Sequence, residues 1–273
     1  RAHEGLMRNV VIRCNGKGEF MVIVVINEEN NLIRNVMIPE MQKRFPEIIS
    51  IMLVINNKFN DIITDLPFEN VYGEECLVET MKAPREGYDD LRFRVGPVSF
   101  FQTNVYQGER LYRAAFDLAD VKGDELMYDL YTGTGTIALY FARFVKNVVG
   151  VEYVEEAIAD AKINSEFNNI NNVKFYAGDM AKVFTDEFIE ANGRPDLVVT
   201  DPPRAGMHEK VVEQLLKIQP KKIVYISCNP ATQARDLQLL DSSYKVKAVQ
   251  PVDMFPHTHH VENIVLLELK VEN

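Results

Sequence analysis

Tyr128-Asp129-Leu130-Tyr131-Thr132-Gly133-Thr134-Gly135-Thr136 closes an apolar run that begins at Leu126 and opens onto a helical stretch near Ile137–Phe144. Strand, glycine turn and helix in immediate succession predict the first unit of a nucleotide-binding α/β sheet. Gly133 and Gly135 let the backbone turn sharply and come close to a ligand. The next apolar run, Val148-Val149-Gly150-Val151, ends at Glu152. An acid roughly 20 residues beyond the first glycine, at the end of the second strand, is placed to hold ribose hydroxyls. The glycines alone fit any nucleotide-binding sheet, or merely a tight turn. Gly133, Gly135 and Ala138 also fit the G-x-G-x-x-A dinucleotide pattern, so the loop itself leaves the nucleotide open. Nothing resembles a phosphate-cradling Walker loop.

Outward from this loop the alternation continues. Helix near Glu155–Asn168, strand Val173–Tyr176, strand Asp196–Thr200, helix near Lys210–Ile218 and strand Ile223–Ser227 follow in turn, and Lys245–Val249 and Asn263–Val271 end the chain as strands. Repeated strand–helix units predict a mostly parallel sheet with helices on both faces. Upstream, Val10–Arg13 and Phe20–Ile26 flank Asn15-Gly16-Lys17-Gly18, a hairpin signal. Pro39–Phe45 reads as a short helix and Ile49–Ile55 as a strand. A second hairpin is expected within 90–101, turning at Gly96-Pro97, before a helix from Val105 to Leu118. The expected organisation is a small α+β subdomain over 1–85 and an α/β domain over 86–273.

Composition bounds the function class. The 273 residues are 47% hydrophobic and 26% charged, with a formal net charge of −10. An acidic chain argues against a general nucleic-acid coat but leaves room for a focused basic cleft. No apolar stretch approaches the roughly 20 residues that span a bilayer, so no membrane partner is expected. Cys14, Cys76 and Cys228 are odd in number and form no C-x-x-C pair. A disulfide framework is not expected, and the N-terminus resembles neither a signal nor a transit peptide. These features predict a cytoplasmic protein.

The chemistry-bearing types cluster at the ends of the later strands. Cys228 follows Ile223-Val224-Tyr225-Ile226-Ser227 and precedes Asn229-Pro230, an N-cap and a first helical residue. A thiol at a helix N-terminus is expected to favour the thiolate and is a candidate nucleophile, although a free cysteine is more often a small buried hydrophobe. Asp201-Pro202-Pro203-Arg204 ends another strand, with the acid stiffly held by two prolines. Arg204 suits either a phosphate or a structural carboxylate. Glu262 borders the last apolar strand as a structural ion-pair partner or a base. His257, His259 and His260 lie on a turn without the helical spacing or cysteine partners of a metal site, so no metal is expected.

Asp129, four residues before Gly133, makes the loop resemble the D-x-x-x-G-x-G motif of class I methyltransferases, which bind S-adenosyl-L-methionine. That resemblance implies a Rossmann-like fold, with Asp129 and Gly133 beside the methionine part, Glu152 on the ribose, and Tyr131 among the cofactor-binding residues. Asp179, in Ala177-Gly178-Asp179, resembles the adenine-binding acid, the alternative being a turn residue. Asp-Pro-Pro also resembles the amino-methyltransferases, but Arg204 stands where they carry an aromatic residue.

Five segments in order, Phe100-Phe101-Gln102-Thr103-Asn104, Asp129–Gly133, Asp201–Arg204, Ser227–Thr232 and His257–Glu262, resemble the RNA uracil-C5 methyltransferases. Asp253-Met254-Phe255-Pro256-His257-Thr258 is most similar to the 23S rRNA branch. The resemblance implies RNA as partner, with no obligatory protein partner. It implies Cys228 as nucleophile at uracil C6, Glu262 as the base at C5, and Gln102 beside the methyl donor. Asp201 would bond the uracil edge or adjacent cofactor groups. Thr132 replaces the usual Cys, with little effect expected because the loop works through its backbone. The family's N-terminal TRAM barrel and four-cysteine iron–sulfur motif are not recognisable, so a fragment or reduced form without a cluster is expected. A tRNA uracil-C5 enzyme is the near alternative. RNA cytosine-C5 enzymes carry a second cysteine just after the fourth-strand Asp-x-Pro, and none is near here. A non-catalytic nucleotide- or RNA-binding protein of the same fold fits less well with both Cys228 and Glu262 present.

Overall fold

The structure, a computed structural model, describes residues 4–270. Residues up to Thr80 together with Phe93–Ser99 form one compact unit, and Met81–Arg92 with Phe100 onward form the other.

In the first unit β1 (Met7–Cys14) and β2 (Phe20–Ile26) make the expected antiparallel hairpin. Asn15 shapes its turn, its side-chain oxygen accepting the N–H groups of Lys17 and Glu19 at 3.0 Å. A π-helical turn (Ile33–Met37) and α1 (Ile38–Arg44) then carry the chain to β3 (Ile48–Ile55), which pairs parallel with β2. β4 (Glu69–Gly73) adds antiparallel to β3, giving the order β1-β2-β3-β4. Val22, Val24, Ile26, Ile51 and Leu53 pack against Ile33 and Ile38 on one face.

The hairpin expected within 90–101 is not formed. β6 (Leu91–Val95) pairs instead with the upstream β5 (Leu77–Met81). Beyond Val95 the chain turns, with the Gly96 N–H donating to Ser99 Oγ at 3.0 Å. Arg13 donates to the carbonyls of Pro97 (3.0 Å) and Ser99 (2.6 Å), which takes those acceptors away from any ladder. Pro97 itself has no N–H to give one.

The second unit contains the α/β sheet. Its elements are α2 (Val105–Ala119), β7 (Leu126–Leu130), α3 (Thr136–Ala142), β8 (Asn147–Glu152), α4 (Glu155–Phe167) and β9 (Val173–Ala177). They continue with α5 (Met180–Val183), α6 (Asp186–Asn192), β10 (Leu197–Thr200), α7 (Glu209–Ile218), β11 (Lys222–Ser227), α8 (Pro230–Leu240), β12 (Tyr244–Val252) and β13 (Glu262–Leu269). The strand order is β12-β13-β11-β10-β7-β8-β9, parallel from β11 to β9 and antiparallel at β13 and β12.

The chain steps from β7 through β8 to β9, then returns to place β10 on the other side of β7. Such a reversal opens a crevice at the carboxyl ends of the strands. β13, being antiparallel, brings its first residue to that same edge. Tyr128, Leu130, Val149, Val151, Ile223, Tyr225 and Val265 pack with Val211, Val212 and Leu215 of α7. Their alternates Met127, Val148, Val199, Val224 and Ile264 are buried too, so both sheet faces are covered. Leu215→Ala should cost about 2–5 kcal/mol through the cavity it leaves, read from the urea midpoint at unchanged denaturant slope.

Candidate active site

The carboxyl edge of the sheet collects every acid that the sequence singled out, by strand register alone. Asp129 lies in β7, Glu152 ends β8, Asp179 follows β9, Asp201 follows β10, Cys228 follows β11 and Glu262 begins β13. The ladder pairs Ser227 with Asn263, which sets Cys228 beside Glu262.

The glycine loop is held from several sides. Thr132 donates its N–H to Val151 O at 3.0 Å, and Gly135 donates to Thr132 O at 2.9 Å. Tyr131 adopts a left-handed φ of 66°, an uncommon conformation for a bulky residue. Gly135 has φ 80°, and a Cβ there would meet Ala161 and Phe175 at 3.0 Å. Gly133 donates to Glu152 Oε2 at 3.0 Å, while Glu152 Oε1 takes the N–H groups of Tyr153 and Val154. The Gly178 N–H binds Glu152 O at 2.7 Å, which joins the Asp179 turn to this edge. Asp179 caps α5 through Ala181 N–H and is held below the usual carboxylate range by that bond and by Lys182.

Asp129 is fully buried. One carboxylate oxygen accepts from Thr132 Oγ1 and the other has no hydrogen-bond partner. Burial pushes its pKa up to about 7, opposed by the Thr132 bond and by the backbone N–H of Ala138. The Thr132 side chain thus bonds Asp129 directly, in addition to the backbone role expected of the loop. Asp201 is driven well above the carboxylate range by burial, then by the charges of Glu262 and Asp129. Burial raises Glu262 as well, with Arg204 pulling it back.

Cys228 differs from expectation. Burial raises its pKa, and Glu262 and Asp201 add to the rise, outweighing Arg204 and the Cys228 backbone N–H. The resting group is the thiol.

Gln102 reaches the same cluster through Tyr112 of α2. The two share a side-chain hydrogen bond, and burial beside Asp201, Asp129 and Glu262 raises the Tyr112 pKa. Phe100 O accepts from Thr134 Oγ1 at 3.3 Å, and Asn104 caps α2 while donating to Met254 O at 3.0 Å. Phe101 is buried and Phe100 exposed. Tyr112 gave no sequence signal, since an aromatic on a helix reads as core. Among the described residues no three His, Cys, Asp or Glu side chains converge as metal ligands. His259 and His260 stack on each other, with centroids 4.2 Å apart, on the exposed loop before β13.

This edge thus brings together three carboxyl groups of raised pKa, one of them with an unpartnered buried oxygen, and a thiol, a set that suits a cationic ligand. The profile of the tRNA (uracil-5-)-methyltransferase family matches residues 73–270. The chain belongs to this family. An uncharacterized RNA methyltransferase of Bacteroides thetaiotaomicron is 55% identical over 99% of the chain and 59% of its own length. Another, of Porphyromonas gingivalis, is 51% identical over the whole chain and 57% of its own length. A crystal structure of Pyrococcus abyssi tRNA (uracil-54, C5)-methyltransferase with S-adenosyl-L-homocysteine superposes with TM-score 0.78 at 35% identity, covering 97% of this chain and 60% of that one. The chain therefore spans about three-fifths of the length of these relatives. The M. jannaschii tRNA m1G37 methyltransferase shares the fold at 15% identity and TM-score 0.58. Among the described residues no helix is long and apolar enough to cross a membrane.

The buried Asp129 makes ligand-free stability depend on pH. Its folded pKa lies above the ordinary 3.8, so its contribution is greatest below that value and is lost as pH rises towards 7. Asp129→Asn should accordingly be more stable than wild type at pH 8 and closer to it at pH 4.5, by urea unfolding. A variant less stable at pH 8 would contradict the assignment of a buried carboxyl group whose pKa burial raises.

Proposed function

We propose that the chain transfers the methyl group of S-adenosyl-L-methionine to C5 of a uridine in RNA through a covalent Cys228–C6 adduct. The observation that carries this is the adjacency of Cys228 and Glu262 at the carboxyl edge, with Asp201 and Arg204 facing them. The unpartnered Asp129 oxygen, the Tyr131–Gly135 turn and Glu152 fit a ligand with an ammonium group and ribose hydroxyls. Asp129, Tyr131 and Gly133 would hold its methionine part, Glu152 the ribose and Asp179 the adenine side. When bound, it supplies an electrophilic methyl on a sulfonium whose positive charge offsets the buried carboxylates.

The protein's own steps follow from uracil chemistry. C5 is a weak carbon nucleophile; once the Cys228 thiol has given its proton to solvent, addition of the thiolate to C6 moves the C5=C6 electron pair into an enolate across C5, C4 and O4. Gln102 and Asp201 would orient the reactants, with Asp201 in its neutral form able to donate to a uracil carbonyl. After C5 has been methylated, Glu262 removes the C5 proton. The C5=C6 bond reforms and the Cys228 sulfur leaves as thiolate. Arg204 faces both Cys228 and Glu262 electrostatically and lowers both pKa values, which stabilises the charged forms the reaction needs. The base must leave any stack to enter this edge.

The segment Asp253–Thr258 favours 23S rRNA as the substrate, and the Pyrococcus abyssi neighbour, whose name specifies tRNA uracil-54, supports tRNA as the second reading. Both RNAs transcribed without modification, incubated with protein and labelled methyl donor, would separate them by nuclease digestion and detection of 5-methyluridine. Cys228→Ala should lose turnover by at least about 10³-fold while keeping cofactor affinity, and Glu262→Gln should lose turnover while retaining adduct formation. Unchanged turnover in Cys228→Ala would overturn the covalent route. Since Cys228 and Glu262 both titrate above their ordinary values, kcat/KM should rise with pH through neutrality, and a rate that falls over that range would contradict it.

A further inference from the structure

Gln233 lies in the second turn of α8, five residues after Cys228, and is almost wholly buried. Its side-chain amide is fully used. Nε2 donates to Tyr225 O at 2.9 Å and to Asn263 O at 3.1 Å, and Oε1 accepts from Asn263 Nδ2 at 2.7 Å. Tyr225 belongs to the strand that delivers Cys228, and Asn263 directly follows Glu262. One side chain therefore ties the nucleophile's strand to the base's strand, at the last ladder pair before the two diverge.

The strand ladder does not provide this tie from its outer side. Pro251 stands opposite Asn263 in β12 and has no N–H to offer. Gln233 supplies a donor to the part-buried Asn263 carbonyl. The same two helical turns also hold the loop after Asp201. Arg204 O accepts from Asn229 Nδ2 and Thr232 Oγ1, each at 3.1 Å, and Met207 N–H donates to the buried Asp236 carboxylate at 2.8 Å. That loop is anchored without Gln233, so Gln233 acts separately on the Cys228–Glu262 spacing.

We propose that Gln233 and Asn263 form a positioning pair that fixes Glu262 relative to Cys228, and so governs proton removal from the adduct more than its formation. The role in turnover rests on the uracil-C5 reading; the spacing itself does not. A hydrogen-bonded amide pair restricts both strand ends, and a misplacement near 1 Å at a reacting group can cost on the order of 10²-fold in rate.

Gln233→Leu removes the pair, and Asn263→Ala removes one bond of it from the other end should the first variant fold poorly. With unmodified RNA and S-adenosyl-L-methionine, both should lose kcat by about tenfold at nearly constant KM. The denaturation-resistant protein–RNA complex should then accumulate above the wild-type level. The length-exchanged double variant Gln233→Asn/Asn263→Gln should regain part of kcat. Unchanged kcat, or a loss with no accumulated complex, would overturn the proposal.

A second readout needs no RNA. Iodoacetamide labelling of Cys228, followed by peptide mass spectrometry, reports how strongly Glu262 suppresses the thiolate. The groups facing Cys228 are Glu262 from β13, Asp201 after β10, Arg204 in the following turn, and the N-terminus of α8. Glu262→Gln should speed labelling at pH 7.5, and by a smaller factor in the Gln233→Leu background. An equal gain in both backgrounds would overturn the positioning role whatever the RNA assay gives. A wild-type protein that makes no 5-methyluridine, with a reduced labelling gain in Gln233→Leu, would overturn the uracil reading and leave the spacing role supported.

Discussion

Asp129 in β7, Asp201 just after β10 and Glu262 at the start of β13 are brought by the fold to one poorly solvated edge of the sheet. Burial disfavours the ionised form of a carboxyl group, so all three pKa values are shifted upward. Everything at this edge follows from that constraint. The crevice resists further negative charge, which keeps Cys228 as a thiol at rest, and it favours a ligand carrying positive charge. The protein tolerates a local instability that a cationic ligand would relieve, a common trade at functional sites.

The topology explains why these groups meet. Strand order reverses around β7, so the loops after β7 and β10 splay apart and leave the crevice between them. The antiparallel insertion of β13 next to β11 then brings a residue from the start of a strand to an edge otherwise built from strand ends. Glu262 could not reach Cys228 from a parallel strand in the same position. The acid–thiol pair is therefore a consequence of one antiparallel strand in a parallel sheet.

The repeating strand–helix pattern was legible because central parallel strands are apolar on both faces, and Val148–Val151 and Ile223–Ile226 show it plainly. Asn229-Pro230 marked the start of α8 because the capping chemistry is local. The β5–β6 pairing was not legible, since the choice of partner for Leu91–Val95 depends on contacts distant in sequence and on the Arg13 bonds to Pro97 and Ser99. The protonation of Cys228 was misread for a similar reason. A helix N-terminus is visible in local sequence, whereas the opposing charges of Glu262 and Asp201 come from other strands. Thr132, Tyr112 and Gln233 carry no motif of their own and become meaningful only through the groups they touch.

The most direct measurement is to incubate the protein with 5-fluorouridine-containing RNA and S-adenosyl-L-methionine, digest it, and map any crosslinked peptide by mass spectrometry. Fluorine at C5 cannot be removed as a proton, so the adduct should persist, with the methylated fluorouridine attached to the peptide containing Cys228. A crosslink at Cys14 or Cys76, or methylated product released from the protein with no crosslink at all, would contradict the covalent role of Cys228.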